Sequence, residues 1–105
     1  MATDATHIDK YILVGKKVKP VEDVLEWEEY LEGDDRIVKQ ETLPNGKYVS
    51  TVFLGLDHSF GDGPPLLYET MVFPSKGNYS EIDVDRYSTW KEAQAGHKRM
   101  VEKYS

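Results

Sequence analysis

Three histidines and no cysteine limit the chemistry open to this chain. Without a thiolate, a nucleophile must be a hydroxyl, and a metal must be held by imidazole and carboxylate. His58 follows Asp57 in the run GLDHSFGDGPP, and His97 stands in WKEAQAGHKRM. These two histidines are the candidates for an acid or base. A metal set of His58, Asp57 and His97 can be written, but an adjacent Asp-His pair has no recognised ligand spacing, so neither a metal nor a cofactor is assigned. A Ser-His-Asp arrangement through Ser50 or Ser59 lacks the GxSxG turn and any oxyanion element. The stretch FGDGPP is not a phosphate loop, because no Gly-Lys-Ser/Thr follows and the next element reads as strand.

The same loop is nevertheless shaped. Gly61 and Gly63 permit backbone conformations that other residues avoid, and Pro64 and Pro65 stiffen the return. One reading is a rigid rim that presents Asp57, His58 and Phe60 to a small molecule, with Glu69 a further polar group from the next strand. The other is a wide connection whose polar side chains satisfy its own backbone.

Stepping outward, Tyr11 to Val14 reads as a short strand, and KKVKP as the lead into a first helix from about Pro20 to Glu32. Val21, Val24, Leu25 and Leu31 supply its apolar stripe and Gly33 its C-terminal cap, which leaves Trp27 and Tyr30 at the edge of the core or in an interface. Ile37 to Leu43 and Tyr48 to Leu56 flank PNGK and form a hairpin, the Asn-Gly pair supplying positive φ angles. Leu66 to Phe73, apolar on both alternating sets, reads as a central strand covered on both faces, the second by another subunit if not by this chain. Ile82 and Val84 alternate with Glu81, Asp83 and Asp85 in a strand with one wet face. Thr89 and Glu92 make a capping box for a last helix, on which Trp90, Ala93, His97, Met100, Val101 and Tyr104 share one side. His97 thus points at the core or the sheet, and Gly96 marks a close approach of another backbone. The order β-α-β-β-β-β-α gives an α+β domain: a mainly antiparallel sheet of four or five strands with two helices packed on one face.

The 105 residues suit one domain, with residues 1–9 expected to be a flexible N-terminus, and 39% hydrophobic with 30% charged residues is an ordinary globular balance. A net charge of -6 without a Lys/Arg run argues against general nucleic-acid binding. Eight acids and no base fall between Val21 and Asp35, which reads as a solvated helix face or an acidic surface for a basic partner. The last helix is locally basic through Lys91, Lys98, Arg99 and Lys103, so the two helices can attract each other. No basic leader precedes an apolar run, and no stretch reaches the ~18 apolar residues of a membrane span, so the expectation is a cytoplasmic protein with no membrane partner.

The run VSTVFLGLDHSFGDGPPLLYETMVF, Val49 to Phe73, with DRYSTWKEAQAGHKRM, Asp85 to Met100, resembles a family of small uncharacterised tailed-phage and prophage proteins. The resemblance covers most of the chain from the hairpin onward and leaves out the acidic helix. It implies a phage accessory protein in the bacterial host cytoplasm and carries no reaction with it. It directs attention to Leu56, Asp57, His58, Glu69, Thr70, Tyr87, Trp90 and His97, and the expected ligand-binding set is Asp57, His58, Phe60, Glu69, Tyr87, Trp90 and His97. Three functions stay open. The first is a non-catalytic homo-oligomer that captures a small host metabolite or signalling nucleotide, with a possible counter-defence role, or captures a host protein. The second is a structural or assembly protein of the particle, and the third a small hydrolase or lyase using His58 or His97. The residues favour binding over catalysis.

Overall fold

The computed structural model describes residues 10–57 and 63–105. The expected flexible stretch 1–9, with His58, Ser59, Phe60 and Gly61 of the loop, lies outside the described residues. The elements are β1 (Tyr11–Val14), β2 (Lys17–Pro20), α1 (Val24–Glu32), β3 (Ile37–Thr42), β4 (Tyr48–Phe53), β5 (Tyr68–Phe73), β6 (Asp83–Tyr87) and α2 (Trp90–Tyr104). β3-β4-β5-β6 is an antiparallel meander, and β1-β2 is a separate two-stranded hairpin. This is the expected α+β architecture with one strand more: KVKP pairs with β1 instead of leading into a helix, and Pro20 closes that strand.

The first helix therefore starts later than its apolar pattern suggests. Asp23 is the N-cap, its carboxylate accepting from Leu25 N–H at 2.9 Å and Glu26 N–H at 3.4 Å. The expected stripe holds only at its ends: Val21 is buried and Leu31 turns inward, but Val24 is 49% and Leu25 70% exposed, and no residue of α1 is fully buried. Trp27 and Tyr30 turn inward in their place. The larger aromatic area sets the helix phase. Tyr30 packs edge-on against Phe53 with ring centroids 6.2 Å apart. Trp27 Nε1–H donates to the Gly55 carbonyl at 3.1 Å, and the same carbonyl accepts Tyr11 N–H at 2.8 Å. Gly55 has φ +79, and a Cβ there would come within 3.0 Å of Leu31 and Trp27, so glycine is needed to seat α1. The eight acids around this helix are all exposed.

The β3-β4 hairpin forms as expected, by a somewhat different turn. Gly46 takes φ +92, Asn45 does not take a positive φ, and the Asn45 side chain accepts Lys47 N–H. Leu43 N–H bonds Lys47 O and Gly46 N–H bonds Leu43 O, a four-residue turn closed by one left-handed glycine.

Register sorts the sheet residues into two chemistries. Val49, Thr51 and Phe53 of β4 and Tyr68, Thr70 and Val72 of β5 share one face, beneath α2, and all six are essentially unexposed. Tyr48, Ser50, Val52, Glu69, Met71 and Phe73 share the other, which no described helix covers. β5 is central as expected, but its second face is open in the monomer. In β6 the expected alternation is inverted: Tyr87 pairs with Tyr68 on the helix face, so Asp85 and Asp83 must share that face while Val84 takes the open one. The acids are accommodated because α2 offers cations. Lys103 Nζ lies 2.9 Å from Asp83, whose carboxylate also accepts Tyr104 O–H at 2.7 Å, and Arg99 lies 4.0 Å from Asp85. The basic side of α2 is thus paired with β6 where the sequence suggested α1.

Thr89 and Glu92 form the expected capping box on α2, and Ala93, Gly96, His97 and Met100 are its buried residues. The close neighbour of Gly96 is a side chain. A Cβ there would lie 2.1 Å from the Tyr87 side chain, which occupies the space that the missing Cβ leaves. Gly96→Ala is expected to destabilise the fold by about 1–3 kcal/mol through this overlap, despite alanine's better helix propensity. Chemical denaturation of Gly96→Ala, and of Gly96→Ala with Tyr87→Leu, checks it: the second change should recover part of the loss.

Candidate functional site

Four polar side chains meet under α2. Thr51 and Thr70 sit opposite each other on β4 and β5, their hydroxyl oxygens 2.6 Å apart. Thr51 Oγ1 also lies 2.7 Å from His97 Nδ1, and His97 Nε2 lies 2.6 Å from Glu41 Oε2 on β3. Periodicity makes this meeting possible: residues 93, 97 and 100 share one helix face, and cross-strand partners share one sheet face. An ionised carboxylate only accepts, so His97 Nε2 carries the proton given to Glu41. In the neutral imidazole His97 Nδ1 accepts from the Thr51 hydroxyl, and Thr51 in turn accepts from Thr70. Every polar atom of the row has a partner, as burial demands.

The order carboxylate, imidazole, hydroxyl superficially matches a hydrolytic triad, and burial decides against it. Thr51 and Thr70 are 0% exposed and His97 is 3% exposed, so no substrate carbonyl can reach the hydroxyl. Both His97 nitrogens are committed to protein partners. Glu41, with its side chain 33% exposed, is where the row meets solvent. Its carboxyl is held below the ordinary 4.5, first by the hydrogen bond from His97 and then by the charge of Lys39, 3.6 Å away, against an opposing effect of burial.

Beside this row lies a cleft of about 340 Å³ between the β3 edge and α2, lined by Val38, Lys39, Glu41, Gln94, His97, Lys98 and Val101. Val38 and Val101 give it apolar walls. Two lysines against one carboxylate leave the lining net positive.

Among the described residues, those of the expected ligand-binding set do not converge. Glu69 is on the open face, 2.9 Å from Arg86 Nε, while His97 is on the helix face, so the sheet separates them. Tyr87 and Trp90 belong to the core around Phe53 and Tyr68. Trp90 packs edge-on to Tyr68, 6.3 Å between centroids, and the Lys16 ammonium lies 5.6 Å from its ring. Burial pushes the Tyr68 hydroxyl up to about 12. The Asp57 carboxylate accepts Leu66 N–H at 3.0 Å, tying the two ends of the loop together. His58 and Phe60 lie outside the described residues, and among those described no group of three or more His, Asp or Glu is placed to hold a metal ion. No described helix is long and apolar enough to cross a membrane. The sequence reading passed over Glu41, Thr51, Lys39 and Lys98; the hairpin register, which sets Glu41 opposite Val49 and next to Thr51's row, carried the only signal for the first two.

Comparison with protein families, curated proteins and solved structures finds no match for this chain.

Two outcomes follow from the buried row. Thr51→Val, nearly the same in shape, leaves His97 Nδ1 and the Thr70 hydroxyl short of a partner and should cost about 1–3 kcal/mol in urea unfolding. A carboxylate lowered in the folded state adds stability that is complete above its ordinary value, and that is lost as the pH falls through the folded-state value. Glu41 does this below 4.5, and Asp83, lowered by Lys103 and Tyr104, acts in the same direction. Glu41→Gln should therefore flatten part of the acid limb of stability, measured by urea unfolding between about pH 7 and pH 3.

Proposed function

We propose that the chain is a non-catalytic binding protein that holds a small anionic molecule in the cleft between β3 and α2. The supporting observation is the cleft floor: His97 and Glu41 are fixed by a fully satisfied row of hydrogen bonds, with no free base and no reachable nucleophile. Such a floor is preorganised for holding and poor for turnover. Lys39 and Lys98 supply positive charge at the rim, Gln94 a neutral donor and acceptor, and the two valines an apolar wall. An anion with a short aliphatic body fits this lining better than a cation or a purely apolar ligand. In the setting implied by the phage resemblance, this is an accessory protein that sequesters a host metabolite in the bacterial cytoplasm.

Thermal denaturation with a panel of inorganic phosphate, small dicarboxylates and sugar phosphates tests this directly. A ligand present at a hundred times its Kd should add about 2.7 kcal/mol of stability. The double variant Lys39→Gln, Lys98→Gln should abolish the shift, with the unliganded protein changed by only about 0–1 kcal/mol for the lost, exposed Lys39–Glu41 pair. Native mass spectrometry of gently purified protein should show retained mass that denaturation removes. Bare protein, no shift with any anion, or a hydrolytic activity that His97→Ala destroys would overturn the reading.

A further inference from the structure

The sheet face turned away from α2 carries a second concavity with different chemistry. It holds about 360 Å³, within the ~300–1,000 Å³ of small-ligand sites, and is lined by residues of β3, β4 and β5 and by the turn that follows β5. That turn is built to fold back: Gly77 takes φ +92, Asn78 N–H bonds Ser75 O, and the Asn78 side chain accepts Ser80 N–H. It brings Tyr79 edge-on to Phe73, with centroids 6.1 Å apart at 82°, while Tyr48 lies 6.4 Å from Phe73 on the other side. Tyr79 is 83% exposed.

Charge separates this groove from the rest of the molecule. The chain has 19 acidic and 13 basic residues, yet none of the groove's ten lining residues is acidic, while Arg36 and Lys76 both face it. The Lys76 ammonium lies 5.9 Å from the Tyr48 ring centroid. Arg36 Nε donates to Leu31 O at 3.1 Å, which anchors the guanidinium at the groove. Ser50 and Gln40, hydrogen-bonded to each other at 2.8 Å, line the floor with groups able to donate and accept further.

Aromatic faces for a flat ring, hydroxyl and amide groups for its edge, and two cations for a phosphate form one complementary set. We propose that this open-face groove is a mononucleotide site, with the base against the Tyr48, Phe73 and Tyr79 cluster and the phosphate on Lys76 and Arg36. The site is separate from the α2 cleft, being across the sheet from it. A long nucleic-acid strand is a poorer occupant, because a chain of net charge -6 repels phosphates beyond the groove.

Calorimetric titration of the full chain with AMP, GMP, CMP and UMP tests the assignment, using adenosine, inorganic phosphate and a single-stranded oligonucleotide as controls. At least one mononucleotide should bind with Kd below about 1 mM in a Lys76-dependent way, and the Lys76-dependent binding of its nucleoside and of inorganic phosphate should be about tenfold weaker or worse. Tyr79→Ala and Lys76→Glu alter exposed side chains, so the fold should persist, and each should weaken binding about tenfold or more. Lys91→Glu, exposed on α2 and outside both concavities, should leave it unchanged. No mononucleotide binding, binding indifferent to Tyr79 and Lys76, inorganic phosphate bound as well as the nucleotide and lost in Lys76→Glu, or an oligonucleotide bound more tightly would each overturn the proposal. So would a dimer lost in Tyr79→Ala without nucleotide binding, which assigns the face to a second copy of the chain.

Discussion

The row from Thr70 through Thr51 and His97 to Glu41 dictates where α2 lies on the sheet. Apolar packing alone is tolerant of small slides along a helix, since one methyl contact replaces another. A hydrogen bond of 2.6 or 2.7 Å is not, and an unmet buried partner is costly. Because the row crosses three strands, it fixes the helix in both directions within the sheet plane. The Tyr87 ring against Gly96, the Lys103 pairing with Asp83 and the cleft beside β3 all require that one placement.

From the same strands the protein obtains two unlike surfaces. Alternate residues of β4 send valine, threonine and phenylalanine under the helix, and tyrosine, serine and valine to the open face. At β4 and β5 the covered face gives up nearly all exposure for a hydrogen-bonded polar row within an apolar bed, whereas the uncovered face keeps aromatic and cationic groups accessible. A shift of one residue in the β4 register would exchange the two sets, so the hairpin turn at Gly46 governs the chemistry of both.

What could be read in advance was whatever is local. Thr89 with Glu92, the apolar side of α2 and the PNGK hairpin each occupy a few adjacent positions, and each is present. The inward histidine was legible for the same reason, since its helix carries its own periodicity. Its partners were not: Thr51 and Glu41 are 46 and 56 positions away in the chain, and β3 looks in sequence like an ordinary polar edge. The phase of α1 was misread because valine and leucine counted equally with Trp27 and Tyr30, although the aromatic pair had more area to bury. In β6 the acids looked solvated until Tyr87, two and four positions later, fixed their side of the sheet. The turn residues Lys76 and Tyr79 read only as a polar connection, because the aromatic partners that make them a groove lie on other strands.

The Gly55 carbonyl, accepting from both Tyr11 and Trp27, joins the first hairpin and α1 to the end of β4, where the Lys10–Leu56 bridge and the burial of Leu13 in the core hold β1 as well. The helix itself buries no residue completely. α1 thus has less to lose on local opening than β1, which shares the core, or the meander, which keeps its own ladder and buried row. Its amides are expected to exchange faster than those of β4 and β5, which would divide the molecule into a stable platform and a helix that opens on its own.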